Sequence, residues 1–194
     1  MIVGKKERKG ERKMVDMKVL DIQIIPVERK QIILAKDRNG NWLHKDWCQL
    51  KYYEKEGCPT FDKCKDEPLI YDAYEEPFIF VCMKLDYMKY LDDMQNQFPD
   101  WSTRKLKIPY LWQKSKRKQI NEMCDKLIIK YEVEYSIYGL DYMVRPEING
   151  VFVIASLLRL GLDIQVKPID HVYIVNLIGK SISNERQGKL GEYF

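Results

Sequence analysis

Residues 42–77 constrain this chain more than any other stretch. They show no sustained helical or strand period, yet they hold three of the five cysteines, Cys48, Cys58 and Cys64. A structureless segment of that length inside a compact domain is uncommon, and usually functional where it occurs. Its spacing is C-x9-C-x5-C, with His44 just upstream. An irregular loop can converge thiolates that a helix or strand would hold apart, so a metal is the expectation for what fixes this one.

Three cysteines leave the identity of the metal open. A structural zinc takes four ligands in a tetrahedron. His44 or the distant Cys82 would have to complete it, and no C-x2-C knuckle is present. Three thiolates also suit a four-iron, four-sulfur cluster with one iron left open to a substrate atom. A third reading leaves the cysteines unligated, as a thiol redox or interaction module. Cys82 and Cys124 fall inside apolar patterns and read as core thiols.

The flanking segments read as α+β or α/β. Ile and Val dominate Val19 to Val27 and Gln31 to Ala35, and a turn at Asp37 to Asn41 follows, with Asn39-Gly40 its strongest signal. Phe78 to Met83 is a buried strand. Asp86 caps a helix over 86–98 whose apolar face is Tyr87, Met88, Leu91, Met94 and Phe98. Ser102 caps a short helix ahead of Pro109. A long helix starts at Tyr110, with Ile120, Met123, Cys124, Leu127, Ile128 and Tyr131 as its stripe. Residues 132–138 alternate acids with Val, Tyr and Ile and read as a strand.

Pro146-Glu147 opens another helix, with Ile148, Val151, Phe152, Ala155 and Leu158 facing the core and Gly161 after its end. Ile164 to Val166 and Val172 to Ile178 are two closing strands. The expected whole is one metal-binding domain over 14–180, with a mixed sheet, three to four helices and the long cysteine-bearing loop. Residues 1–13 read as a disordered basic tail and 181–194 as a loose C-terminal tail.

Charge is segregated along the chain. Residues 1–13 carry six bases and two acids, which accounts for the whole net charge of +4, so residues 14–194 sum to zero. Residues 54–100 hold twelve acids against five bases, whereas 101–121 hold seven bases and no acid. Those seven are Arg104, Lys105, Lys107, Lys114, Lys116, Arg117 and Lys118, interleaved with Trp101, Tyr110 and Trp112. Cations neutralise phosphates and aromatic faces stack on exposed bases, so RNA or a nucleotide is the expected partner. On the long helix Lys116 lies about 40° to one side of Ile120 and Arg117 about 60° to the other, both bordering the stripe. A solvated helix face is the ordinary alternative.

Glu132 and Glu134 read as surface carboxylates and His171 as structural. No P-loop, G-x-G-x-x-G, G-x-S-x-G or H-E-x-x-H occurs, so nucleotide hydrolysis and serine-hydrolase chemistry have no motif behind them. No apolar run nears the ~18 residues of a membrane span, and no secretory h-region opens the chain. The expected compartment is cytoplasmic.

The run Trp47-Cys48-Gln49-Leu50-Lys51-Tyr52-Tyr53, followed by Gly57-Cys58-Pro59 and Cys64, resembles a family of small, uncharacterised prokaryotic proteins identified as metal-binding from such a cysteine motif. Trp101-Ser102-x-Arg104 leading to Leu111-Trp112-Gln113 and Arg117-Lys118 is similar too, as is Pro146-Glu147-x-x-Gly150-Val151 continuing to Leu160-Gly161-Leu162. Together these cover residues 42–179. The family continues Cys-Pro-Pro after its third cysteine, whereas this chain has Cys64-Lys65-Asp66-Glu67-Pro68. The resemblance implies metal binding through Cys48, Cys58 and Cys64 and no particular reaction. With the basic segment, it leads to an iron–sulfur protein acting on a nucleotide or RNA substrate, with sulfur insertion or removal as the chemistry. A zinc-stabilised, non-catalytic nucleic-acid-binding protein is the alternative.

Overall fold

Two long apolar runs become the central strands of one sheet in a computed structural model of the chain. The structure describes residues 15–34, 73–107, 110–144, 146–147, 150–165 and 167–182. Its strands are β1 (Val19–Val27), β2 (Tyr74–Asp86), β3 (Leu140–Val144) and β4 (His171–Ser181), in the order β1-β2-β4-β3. All three pairings are antiparallel, so the sheet is not mixed. With helices α1 (Tyr87–Gln97), α2 (Thr103–Leu106), α3 (Tyr110–Tyr135) and α4 (Val153–Arg159), the class is α+β in a single domain.

Strand position explains sequence texture. β2 and β4 are covered on both faces, so Phe78 to Met83 and Ile174 to Ile178 are buried without alternation. β1 is an edge strand and alternates. On one face Ile79, Val81, Met83, Ile174 and Ile178 pack against α1 and α3 through Tyr90, Met94, Ile120 and Cys124. On the other, Phe78, Phe80, Cys82, Val175 and Leu177 pack against Val151 and Leu157 beside and within α4. The one polar interruption of β4's buried run is Asn176. Its Nδ2 donates to Asn121 Oδ1 at 2.8 Å and lies 3.5 Å from Cys124 Sγ, which ties the sheet to α3.

Helix starts follow side-chain caps. Asp86 Oδ1 accepts from Lys89 N at 3.0 Å, and Ser102 Oγ accepts from Lys105 N at 3.4 Å. In α1 Tyr90 is buried and Met88 is exposed, which rotates the inward face from the expected one. Gly161, at φ +84°, follows the end of α4 as expected, and Leu162 N returns to Leu157 O at 3.0 Å.

Several expected elements change. Residues 31–34 form no strand. Glu28 and Gln31 make a capping box around a 3-10 turn at Arg29–Gln31, and Leu34 makes a single bridge to Val151. β1 pairs with β2 instead. Residues 132–135 stay helical, because α3 keeps i,i+4 partners to its end: Tyr131 meets Tyr135 at 5.2 Å and Lys130 reaches Glu134 at 3.7 Å. The acid–apolar alternation there lies largely on exposed helix, with Val133 and Tyr135 open to water. β3 at Leu140–Val144 was not anticipated. Pro146-Glu147 is a turn, closed by Val151 N to Pro146 O at 3.0 Å, and the helix waits until Val153. Ser156 and Leu157 point inward there, not Leu158. Residues 162–165 form no strand. Ser181 and Ile182, expected to open the loose tail over 181–194, are held instead, Ser181 as the last residue of β4 and Ile182 by its N–H to Ala73 O. The turn at 37–41, the 42–72 part of the cysteine-bearing loop, residues 1–13 and residues 183–194 lie outside the described residues.

Candidate functional site

The mismatch in length between β3 and β4 makes a cleft. β3 pairs only with Asn176 to Lys180, while β4 begins at His171. Past Val144 the chain turns away at Pro146, and Phe152 N donates to Ile33 O at 2.7 Å on the far side. Residues 171–175 therefore pair with β2 alone among the described residues. The vacated place is a cleft of about 340 Å³.

Both helical layers contribute to its walls. α4 supplies Val153, Ile154 and Leu157, and α3 supplies Trp112 and Gln113. Lys107, which is exposed, is the cation on the lining. Trp112 is 5 % exposed, and its buried indole N–H has no hydrogen-bond partner among the described residues. A buried donor without an acceptor costs about 1–3 kcal/mol, so the position gains from a ligand atom that accepts.

His171 also lines the cleft, 5 % exposed, with its Nε2 at 2.7 Å from the Asp163 carbonyl oxygen. A carbonyl only accepts, so Nε2 carries the proton and donates. Asp163 Oδ2 lies 3.7 Å from the same nitrogen. Tyr173 meets the His171 ring edge-on at 5.5 Å. Burial pushes the Tyr87 phenol up, and burial followed by Asp163 does the same for Tyr173. Both hydroxyls stay protonated at neutral pH and can donate. Gln165 knits the adjoining loop, its Oε1 accepting from Ile169 N at 2.8 Å and Asp170 N at 3.1 Å. The cleft thus offers apolar walls, neutral donors and one exposed cation, a set suited to binding a flat, partly apolar anion.

The basic segment is dispersed. Trp101 stacks on Phe98 at 4.2 Å, and Lys105 Nζ sits 3.8 Å over the Trp101 ring. Lys116 is 2 % exposed, and its Nζ donates to Asp16 at 2.9 Å and Gln119 at 3.2 Å. Arg117 lies 3.9 Å from Glu147, and Lys118 lies 3.9 Å from Glu122. Arg104 and Lys114 are exposed. The two residues that border the stripe, Lys116 and Arg117, do not line the cleft; Lys107 and Trp112 do. The side chain of Tyr110 is outside what the structure describes.

His44, Cys48, Cys58 and Cys64 lie outside the described residues. Cys82 is fully buried in β2, and burial pushes its thiol up to about 12, as it does for Cys124 in α3. A thiolate at either place would have to form in apolar surroundings. Among the described residues no three His, Cys, Asp or Glu side chains converge to hold a metal. None of the described helices is long and apolar enough to cross a membrane.

Reading residues alone passed over Tyr87, Tyr173 and the α4 wall, and took His171 as structural. The missing signal was the shortness of β3, because the cleft exists only where that strand stops.

Fold and cleft together define an antiparallel α+β domain with a cleft beside the first half of β4. Comparison with known proteins finds no matching family model, no similar curated protein and no similar solved structure. The resemblance of the cysteine segment rests on its own residues.

Proposed function

We propose that this chain is a metal-binding protein that holds a nucleotide, free or within RNA, in the cleft beside β4. The observation that carries the reading is the buried indole N–H of Trp112, unpartnered among the described residues and sharing the apolar cleft with Lys107. An aromatic base would bury against the walls, and its phosphate would meet the lysine. Equilibrium titration with AMP and a short single-stranded RNA tests this. Lys107→Ala should weaken both by about two- to fivefold, the size of an exposed charge contact. Trp112→Phe, which keeps the ring but removes the donor, should weaken both about tenfold. Binding unaffected by either change removes the cleft from the function.

The metal half rests on Cys48, Cys58 and Cys64 within seventeen residues. An iron–sulfur cluster on three thiolates would leave an iron open to a sulfur or oxygen of the substrate. Cys82, buried and protonated, is a poor fourth ligand for the zinc alternative. Protein purified without oxygen decides between the readings. Iron with acid-labile sulfide that falls in Cys58→Ser supports the cluster, and stoichiometric zinc supports the non-catalytic alternative. Neither metal leaves a thiol module.

A further inference from the structure

The open half of β4 presents hydrogen-bonding groups in a fixed order. In an antiparallel strand the N–H and C=O of one residue point to the same side, and successive residues alternate. Ser181 N donates to Gly139 O at 2.9 Å, so the odd-numbered residues of β4 face β3. Ile182 N donates to Ala73 O at 2.9 Å, so the even-numbered ones face β2. No register shift interrupts β4 between His171 and Ile178. Tyr173 therefore turns its main-chain groups toward the place β3 has vacated, where no described residue pairs with it. Along that edge its N–H donor stands beside its C=O acceptor.

We infer that this main-chain edge reads the hydrogen-bonding edge of the nucleobase, with the sugar phosphate turned toward Lys107; the inference rests on the nucleotide reading above. Every nucleobase carries a donor beside an acceptor on its Watson–Crick edge, the complement of the C=O and N–H of Tyr173. A ring bonded there lies roughly in the plane of the sheet. Its two faces then look into the two helical layers, where Trp112 stands on one side and Ile154 and Leu157 stand on the other. Stacking and in-plane hydrogen bonding are thus satisfied by one placement.

An extended peptide is the other occupant an open strand edge can take. Size decides against it. Five residues alongside 171–175 would span about 17 Å and need room for side chains on both faces. The cleft of about 340 Å³ is at the small end of the roughly 300–1,000 Å³ range for small-molecule sites.

The test uses the full chain with AMP, N6,N6-dimethyl-AMP, ribose 5-phosphate, the mononucleotides of the other three bases and a capped pentapeptide of alternating Val and Thr. AMP should bind at least about tenfold tighter than its dimethylated form, the value of one directed hydrogen bond in a dry site, and tighter still than ribose 5-phosphate. Tyr173→Pro removes one edge N–H at a position that donates to no other strand among the described residues, and should abolish most of the difference between the first two where Tyr173→Ala keeps it. Circular dichroism checks that the proline variant folds, and the comparison of ligands on the unaltered chain stands without it. Equal binding of AMP and dimethyl-AMP overturns the edge reading while the nucleotide reading survives. Failure of AMP, together with the mononucleotides of the other three bases, overturns both. Binding of the pentapeptide in place of AMP shows that the edge takes a strand, and overturns the inference.

Discussion

Cys82 and Cys124 carry no exposed surface, and burial raises both thiols from 9.0 to about 12. Tyr74, Tyr90 and Tyr142 are raised from 10.0 to about 12, again first by burial. In each case the folded chain keeps a proton that the unfolded chain releases. Stability is therefore complete below pH 9 and declines as pH rises from there toward 12. The thiols act first and the phenols join above pH 10. The limiting slope is about 1.4 kcal/mol per pH unit for each group. Urea unfolding in a pH series should show a plateau to pH 9 and a steepening fall beyond it. Equal stability at pH 8 and pH 10.5 would mean the folded chain admits the charged forms. The same burial explains why neither residue was a candidate for nucleophilic chemistry: a thiol that stays protonated is a small apolar side chain.

The elements that were legible in the sequence are those whose pattern has one physical source. β2 and β4 read as apolar runs because both faces are covered, and α1 read correctly from Asp86 because a side-chain cap is a local event. The segment at 132–135 misled because alternation and helix compete over so few residues; the i,i+4 pairs that decide it begin before the alternation does. The cleft was not legible at all, since it follows from the end of β3, a five-residue strand with no distinct pattern. One contact between elements tests the packing of the second core. A Cβ at Gly179 of β4 would lie 2.8 Å from Phe78 Cε1 and 3.1 Å from Tyr74 Cδ1. Phe78 is fully buried and cannot withdraw. Gly179→Ala gains about 0.4–1 kcal/mol from a stiffer unfolded chain but overpacks at a cost of about 1–3 kcal/mol. The balance is a loss, visible as a lower urea midpoint at unchanged slope. A raised midpoint would show that the two rings are not held in place.

On the scale of the whole molecule, charge segregation survives folding but thins out. Seven bases lie over 101–121 without an acid among them, yet folding brings acids to several. Lys116 meets Asp16, Arg117 nears Glu147, Lys118 nears Glu122, and Lys105 is taken up by the Trp101 ring. Arg104, Lys107 and Lys114 remain as exposed cations with no acid paired to them among the described residues. Each single-strand phosphate neutralised contributes about −0.7 to the slope of log affinity against log salt. Three cations engaged together give a slope of about −2, whereas all seven would give about −5. The tail over 1–13 holds six further bases and can add its own increment, so the measurement compares the full chain with one lacking those residues. For a short single-stranded RNA the shortened chain should keep a slope near −2. A slope near −5 in that chain would mean that RNA displaces Asp16, Glu122 and Glu147 from their lysines and arginine. A slope that vanishes with the tail would place the whole electrostatic contact in residues 1–13 and leave the folded domain with only the mononucleotide cleft.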